Sequence, residues 1–81
     1  ADGMLLAIDF LVRHDSQVNG QKIGDIPFPA NTIPCFVVKE TSIVPAAPST
    51  ELEDGDQLIA VVPPKQRKSI ESLFRSNSRG P

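Results

Sequence analysis

The sequence predicts an α+β domain: a small, mostly antiparallel four-stranded sheet, one short helix after the first strand and a helix at the C-terminal end, in the order β-α-β-β-β-α. Three observations carry that expectation. Apolar residues alternate at period two in Leu5 to Arg13 and in Gln57 to Val62, and two further short runs, Thr32 to Glu40 and Ser42 to Val44, have the composition of strands. The clearest i, i+3, i+4 apolar stripe lies near the C-terminus. Pro and Gly separate the segments and break any longer helix or strand. The 81 residues suit one domain, and 40% apolar with 22% charged is a globular balance.

Leu5 to Arg13 supplies the first strand. Leu6, Ile8, Phe10 and Val12 share one face, whereas Leu5, Ala7, Asp9 and Leu11 share the other, which is mixed. Ser16 to Pro29 is a connection in which Val18 to Ile26 can make one or two helical turns, with Ile23 and Ile26 on one face. Gly24 weakens that helix and Pro27 and Pro29 stop it, so alanine at position 24 is expected to be mild or stabilising. Thr32 to Glu40 returns to strand chemistry. Pro34 cannot donate to a ladder, so this strand should begin near Cys35 or lie at an edge. Thr41-Ser42 turns the chain into a short strand over Ser42 to Val44, completing a hairpin, and Pro45 and Pro48 keep the next stretch extended.

Asp54-Gly55 reads as a turn in which glycine supplies a positive φ. Leu58, Ala60 and Val62 then alternate with Gln57, Ile59 and Val61 in a fourth strand. Pro63-Pro64 ends it and opens a helix from Lys65 to about Arg75, carrying Ile70, Leu73 and Phe74 as its stripe. The expected organisation is a flexible N-terminal remnant over 1–4, a folded domain over 5–75 and a disordered tail over 76–81. Ala1-Asp2-Gly3, without an initiating Met, reads as a piece excised from a longer cytoplasmic polypeptide.

Charge and inventory exclude several functions. Residues 1–62 carry a net of −6 and residues 63–81 a net of +4. An acidic body does not suit nucleic acid as a partner, because phosphate neutralisation needs clustered Lys and Arg. A single Cys35 excludes an intrachain disulfide and a cysteine zinc site. The acids around Gly55 fail as a calcium loop, since Val61 falls where a bidentate acid is needed. His14 reads as a solvated loop residue and Cys35 as a small buried apolar one. No nucleophile elbow, P-loop or metal-binding helix is present, so the chain is read as no enzyme, with no cofactor and no metal.

The run Leu52-Glu-Asp-Gly55-Asp56-Gln-Leu58-Ile-Ala-Val resembles the Leu-x-x-Gly-Asp-x-Leu signature of the TrkA C-terminal (RCK C-terminal) domain family. Gly20-Gln21-Lys22-Ile23-Gly24-Asp25-Ile26 is similar to that family's short helix, Cys35 to Lys39 to its apolar strand ending in a basic residue, and Ile43-Val44-Pro45 to its second hairpin strand. The similarity covers about residues 5–75. It implies a regulatory domain of a potassium or other cation transport system, cytoplasmic and tied to the inner face of the membrane through a transporter or channel subunit. It also implies homodimers, with a groove between protomers that in some members binds cyclic di-AMP. Carried over by position, Val37, Val38 and Lys39 of the second strand and Pro45 after the third would line that groove. The alternative is a purely structural dimerisation module with no ligand of its own. The loop Asp25-Ile-Pro-Phe-Pro-Ala-Asn-Thr, rich in Pro, and the uncharged Ala46-Ala47-Pro48-Ser49 depart from the family's pattern beside that surface.

Overall fold

The computed structural model describes residues 5–76, so the expected remnant 1–4 and the expected tail beyond Ser76 lie outside the described residues. Four strands form one sheet: β1 (Leu6–Leu11), β2 (Ile33–Val38), β3 (Ile43–Pro45) and β4 (Gln57–Val62). The order across the sheet is β1-β4-β2-β3, with every neighbour antiparallel. An α-helix, α1 (Arg67–Phe74), follows a 3-10 turn over Pro64–Gln66. The α+β expectation and its element order are therefore what the chain adopts.

Alternation determines which side chains meet. The row Phe10–Leu58–Val37–Val44 runs across all four strands on one face, and Ile8–Ala60–Pro34 lies beside it. On this face Phe10, Val37, Leu58, Ala60 and Val62 are buried. The cover is built from loops as much as from helix. The connection after β1 contributes Val18, Ile23 and Ile26, and the connection before β4 contributes Leu52. The two connections run antiparallel and bond to each other: Gly20 N donates to Leu52 O at 2.7 Å, Leu52 N to Gln21 O at 2.9 Å and Ile23 N to Thr50 O at 2.8 Å. Their main-chain groups are thereby satisfied without a regular strand. Ile70 and Phe74 complete the cover, and the Phe10 and Phe74 rings stack with centroids 5.3 Å apart.

Several local expectations change. The short helix is only a 3-10 turn, Ile23–Asp25, although Ile23 and Ile26 do share the core. Gly24 is there for proximity: its N–H donates to Pro48 O at 2.9 Å, and a Cβ would lie 3.1 Å from both Pro48 Cβ and Pro48 O. Alanine at 24 therefore meets crowding against Pro48 that the sequence did not show. The strand containing Pro34 is an interior strand, not an edge one. Pro34 is accommodated because β3 pairs only with residues 36–38, so β2 has a neighbour on one side alone at that level. A register shift lies between Pro34 and Phe36, leaving Cys35 as the extra residue of a bulge. Cys35 is accordingly half-buried, not fully buried, and its carbonyl accepts from Ala46 N at 3.0 Å. The hairpin turn is one residue earlier than expected, at Glu40-Thr41, closed by Lys39 N donating to Ser42 O at 2.7 Å. Ser76 is still held, bridged to Ser16 and hydrogen-bonded to Asp15.

Candidate functional site

The second face of the sheet is apolar and has no cover among the described residues. Its rows are Ala7–Val61–Ile33, Asp9–Ile59–Phe36–Pro45 and Leu11–Gln57–Val38–Ile43. Ile33, Phe36 and Ile43 are 55%, 52% and 67% exposed. The bulge at Cys35 creates part of this surface. Strict alternation would put Ile33 on the face of Val37, and the extra residue moves it to the face of Phe36. Asp9 is the one ionisable group in these three rows, and it is exposed. A patch of large apolar side chains on a small domain marks a surface that meets something else.

At one end of the sheet, Lys39 follows β2 and reaches across to the connection before β4. Its ammonium donates to Asp56 Oδ2 at 2.5 Å, to Glu53 Oε1 at 3.4 Å and to Glu51 O at 3.3 Å. Asp56 is 6% exposed, and the same Oδ2 accepts from Glu53 N at 2.9 Å. Gly55 takes φ +92°, which turns the chain so that its N–H meets Val12 O at 2.8 Å while Val12 N donates to Asp56 O at 2.8 Å. The signature run therefore has a structural meaning. Leu52 and Leu58 are fully buried, Gly55 makes the turn, and Asp56 closes it and ties the β2–β3 hairpin to it. The ion pair raises the pKa of Lys39 above its ordinary value, chiefly through the hydrogen bond to Asp56, with burial opposing. A shallow cavity of about 470 Å3 beside this clamp is lined by Glu40, Glu53, Asp54 and Asp56 together with Lys39.

The four residues carried over from the family do not converge on one surface. Val38 and Pro45 lie on the open face, in adjacent rows, with Phe36 and Ile43 between and beside them. Val37 is fully buried on the other face, because neighbouring residues of a strand point to opposite sides. Lys39 stands at the end of the hairpin with its charge already met by two carboxylates. Phe36, Ile33 and Ile43 were missed as surface formers. The signal available was the alternation of Phe36 with Val37, which fixes that one of the two must face outward. His14 is exposed, and its carbonyl accepts from Asn19 Nδ2 at 2.9 Å. Among the described residues no group of three or more His, Cys, Asp or Glu is placed to hold a metal ion.

A half-covered four-stranded antiparallel sheet with a helix after its last strand defines a class, the small α+β domain. Within that class the affiliation is specific. The family model of the TrkA-C domain matches residues 8–75, and the chain belongs to that family. Domains of this kind are regulatory parts of cation transport systems. No curated protein sequence matches the chain. Among the described residues no helix is long and apolar enough to cross a membrane.

Proposed function

We propose that this domain is a cytoplasmic, non-catalytic regulatory module of a potassium or other cation transport protein, and that it works as a homodimer closed over the open face of the sheet. One observation carries the pairing: Ile33, Phe36 and Ile43 are each more than half exposed, beside a core that holds twelve buried apolar residues among the described residues. A second copy would remove these side chains from water, at roughly 25 cal/mol for each Å2 of apolar surface buried. In this reading the membrane-embedded channel or transporter subunit, in the same chain or a separate one, is the element that the pair regulates.

An anionic small ligand, a cyclic dinucleotide such as cyclic di-AMP being the first choice, would be read at the hairpin margin of the open face, where it gives way to Lys39. Val38 and Pro45 provide an apolar wall for a base, and a two-fold axis would supply two Lys39 ammonium groups for two phosphates. A phosphate would have to take Lys39 from Asp56. That competition favours a second reading, the structural dimerisation module without a ligand, because the only lysine near the wall is neutralised in place at 2.5 Å.

Sedimentation equilibrium over the micromolar range tests the pairing. A two-fold species in the wild type, and an 8.7 kDa species for Phe36→Glu, is the expected result; a wild-type monomer throughout ends the dimer reading. Calorimetry at moderate salt with cyclic di-AMP, ATP and NAD separates the two forms of it. Binding below about millimolar, weakened by roughly 1–3 kcal/mol in Lys39→Ala, supports the sensor. A dimer that binds none of the three is the bare module.

A further inference from the structure

The free edge of the sheet beside the helix is chemically unlike the rest of the molecule. A groove of about 520 Å3 runs between β1 and α1. Four consecutive residues of β1, 8–11, line it. Successive strand residues point to opposite faces, so a groove touched by four in a row runs along the backbone edge itself. β1 has β4 on one side and no strand on the other among the described residues. Alternate N–H and C=O groups of β1 therefore face this groove, offering donors and acceptors in turn. Neither proline nor a bulge interrupts the edge.

Five charged residues line the groove, three arginines and the acids Asp9 and Glu71. Arg13, Arg67 and Arg75 all line it, and they are the only three arginines among the described residues; the lysines Lys22, Lys39, Lys65 and Lys68 do not. Arg67 donates to Glu71 Oε2 at 3.0 Å, whereas Arg13 and Arg75 form no ion pair among the described residues. Guanidinium groups match carboxylates with two parallel hydrogen bonds, which the point charge of lysine does not. The arginines stand on both walls, Arg13 just past β1 and Arg67 and Arg75 a helix length apart on and after α1, so a ligand meeting all three is extended.

We infer that this edge takes an acidic peptide segment of a partner protein, which adds to the sheet as a strand beside β1 and places its carboxylates against Arg13 and Arg75. The alternating donors and acceptors select a peptide main chain over an all-acceptor phosphate ligand. The site shares Asp9 and Leu11 with the margin of the open face, but its main-chain edge and its arginines lie on β1, α1 and their flanks and not among Ile33, Phe36 and Ile43.

The probe is the blocked hexapeptide Val-Glu-Val-Glu-Val-Glu, titrated at moderate salt and followed by amide chemical shifts. Saturable submillimolar binding is expected, with the perturbed amides on β1 and none at the Lys39 clamp. Arg13→Gln combined with Arg75→Gln should weaken it at least tenfold without moving the melting temperature, because neither side chain has an ion-pair partner among the described residues. The same peptide N-methylated at alternate residues should not bind. Lysine in place of glutamate should abolish binding. Phe36→Glu should bind as the wild type does, which separates this inference from the dimer. Equal binding of the methylated or the lysine peptide overturns it, as does binding of inorganic triphosphate without binding of the peptide. Self-association that the double arginine variant abolishes overturns it in favour of a second copy on this edge.

Discussion

The two faces of the sheet are made from the same strands and nearly the same residues, yet they have opposite fates. Phe10, Val37 and Leu58 form one row and are all buried; Phe36, one residue from Val37, is half exposed. Hydrophobicity does not distinguish Val37 from Phe36, and neither does strand propensity. The difference is made by what crosses over them. Both long connections, anchored to each other between residues 20–24 and 48–52, pass over the first face, and α1 follows them. Nothing among the described residues passes over the second. In a domain this small, where folding alone buries only about 60% of the surface the unfolded chain exposes, one unclosed face is what remains when the connections run out.

Substitutions in the two faces should break that comparison if it is wrong. The largest effect belongs to the covered face: Leu58→Ala, at a fully buried site, should cost about 2–5 kcal/mol by urea denaturation. Val37→Glu, which on a groove reading would only dissociate a dimer, should instead prevent folding, because it places an unpaired charge in the core. A folded Val37→Glu monomer would show that the faces have been assigned the wrong way round.

The turn and clamp that hold the connection to the sheet come next. Asp56→Ala should cost about 1–3 kcal/mol, since it leaves Lys39 without its closest partner and Glu53 N without its acceptor. Gly55→Val should cost at least about 1 kcal/mol through strain at φ +92°, read as a lower denaturation midpoint. The clamp also has a signature in pH. The folded state raises the pKa of Lys39, so it binds that proton more tightly than the unfolded chain does. Its stabilisation is complete below the ordinary lysine pKa of 10.5 and is lost as pH rises through the raised value. The wild type should therefore lose stability relative to Lys39→Met across that alkaline window. Parallel curves would mean that the ion pair contributes nothing.

The smallest effect is expected on the open face. Phe36→Ser should change monomer stability by no more than about 0.5 kcal/mol, the range of surface substitutions, while weakening any self-association. A loss of several kcal/mol in a dilute, monomeric sample would mean that Phe36 is packed within its own chain. Gly24→Ala sharpens the comparison from the loop side. It should be destabilising, because the neighbour it would press is the Pro48 backbone of the other connection.

The element order was legible in the sequence, and the reason is local. Period-two alternation marks β1 and β4, the i, i+3, i+4 stripe of Ile70, Leu73 and Phe74 marks α1, and the positive φ of Gly55 follows from an Asp-Gly turn. The core face of β1 could be named outright, because Leu6, Ile8 and Phe10 leave Asp9 on the opposite side. The candidate site was much less legible. Lys39 is visible as a cation after an apolar strand, but that its charge is met by Asp56, seventeen residues on, depends on the sheet order placing the hairpin beside the turn. The bulge at Cys35 leaves no period-two signature, and it decides which way Ile33 faces. Propensity and pattern act over a few residues, so the sequence by itself determined which segments are strands, where they turn and which residues can be apolar wall. Which wall is covered was decided only in three dimensions, because the cover consists of two irregular connections whose hydrogen bonds are to each other and not to residues near them in the chain.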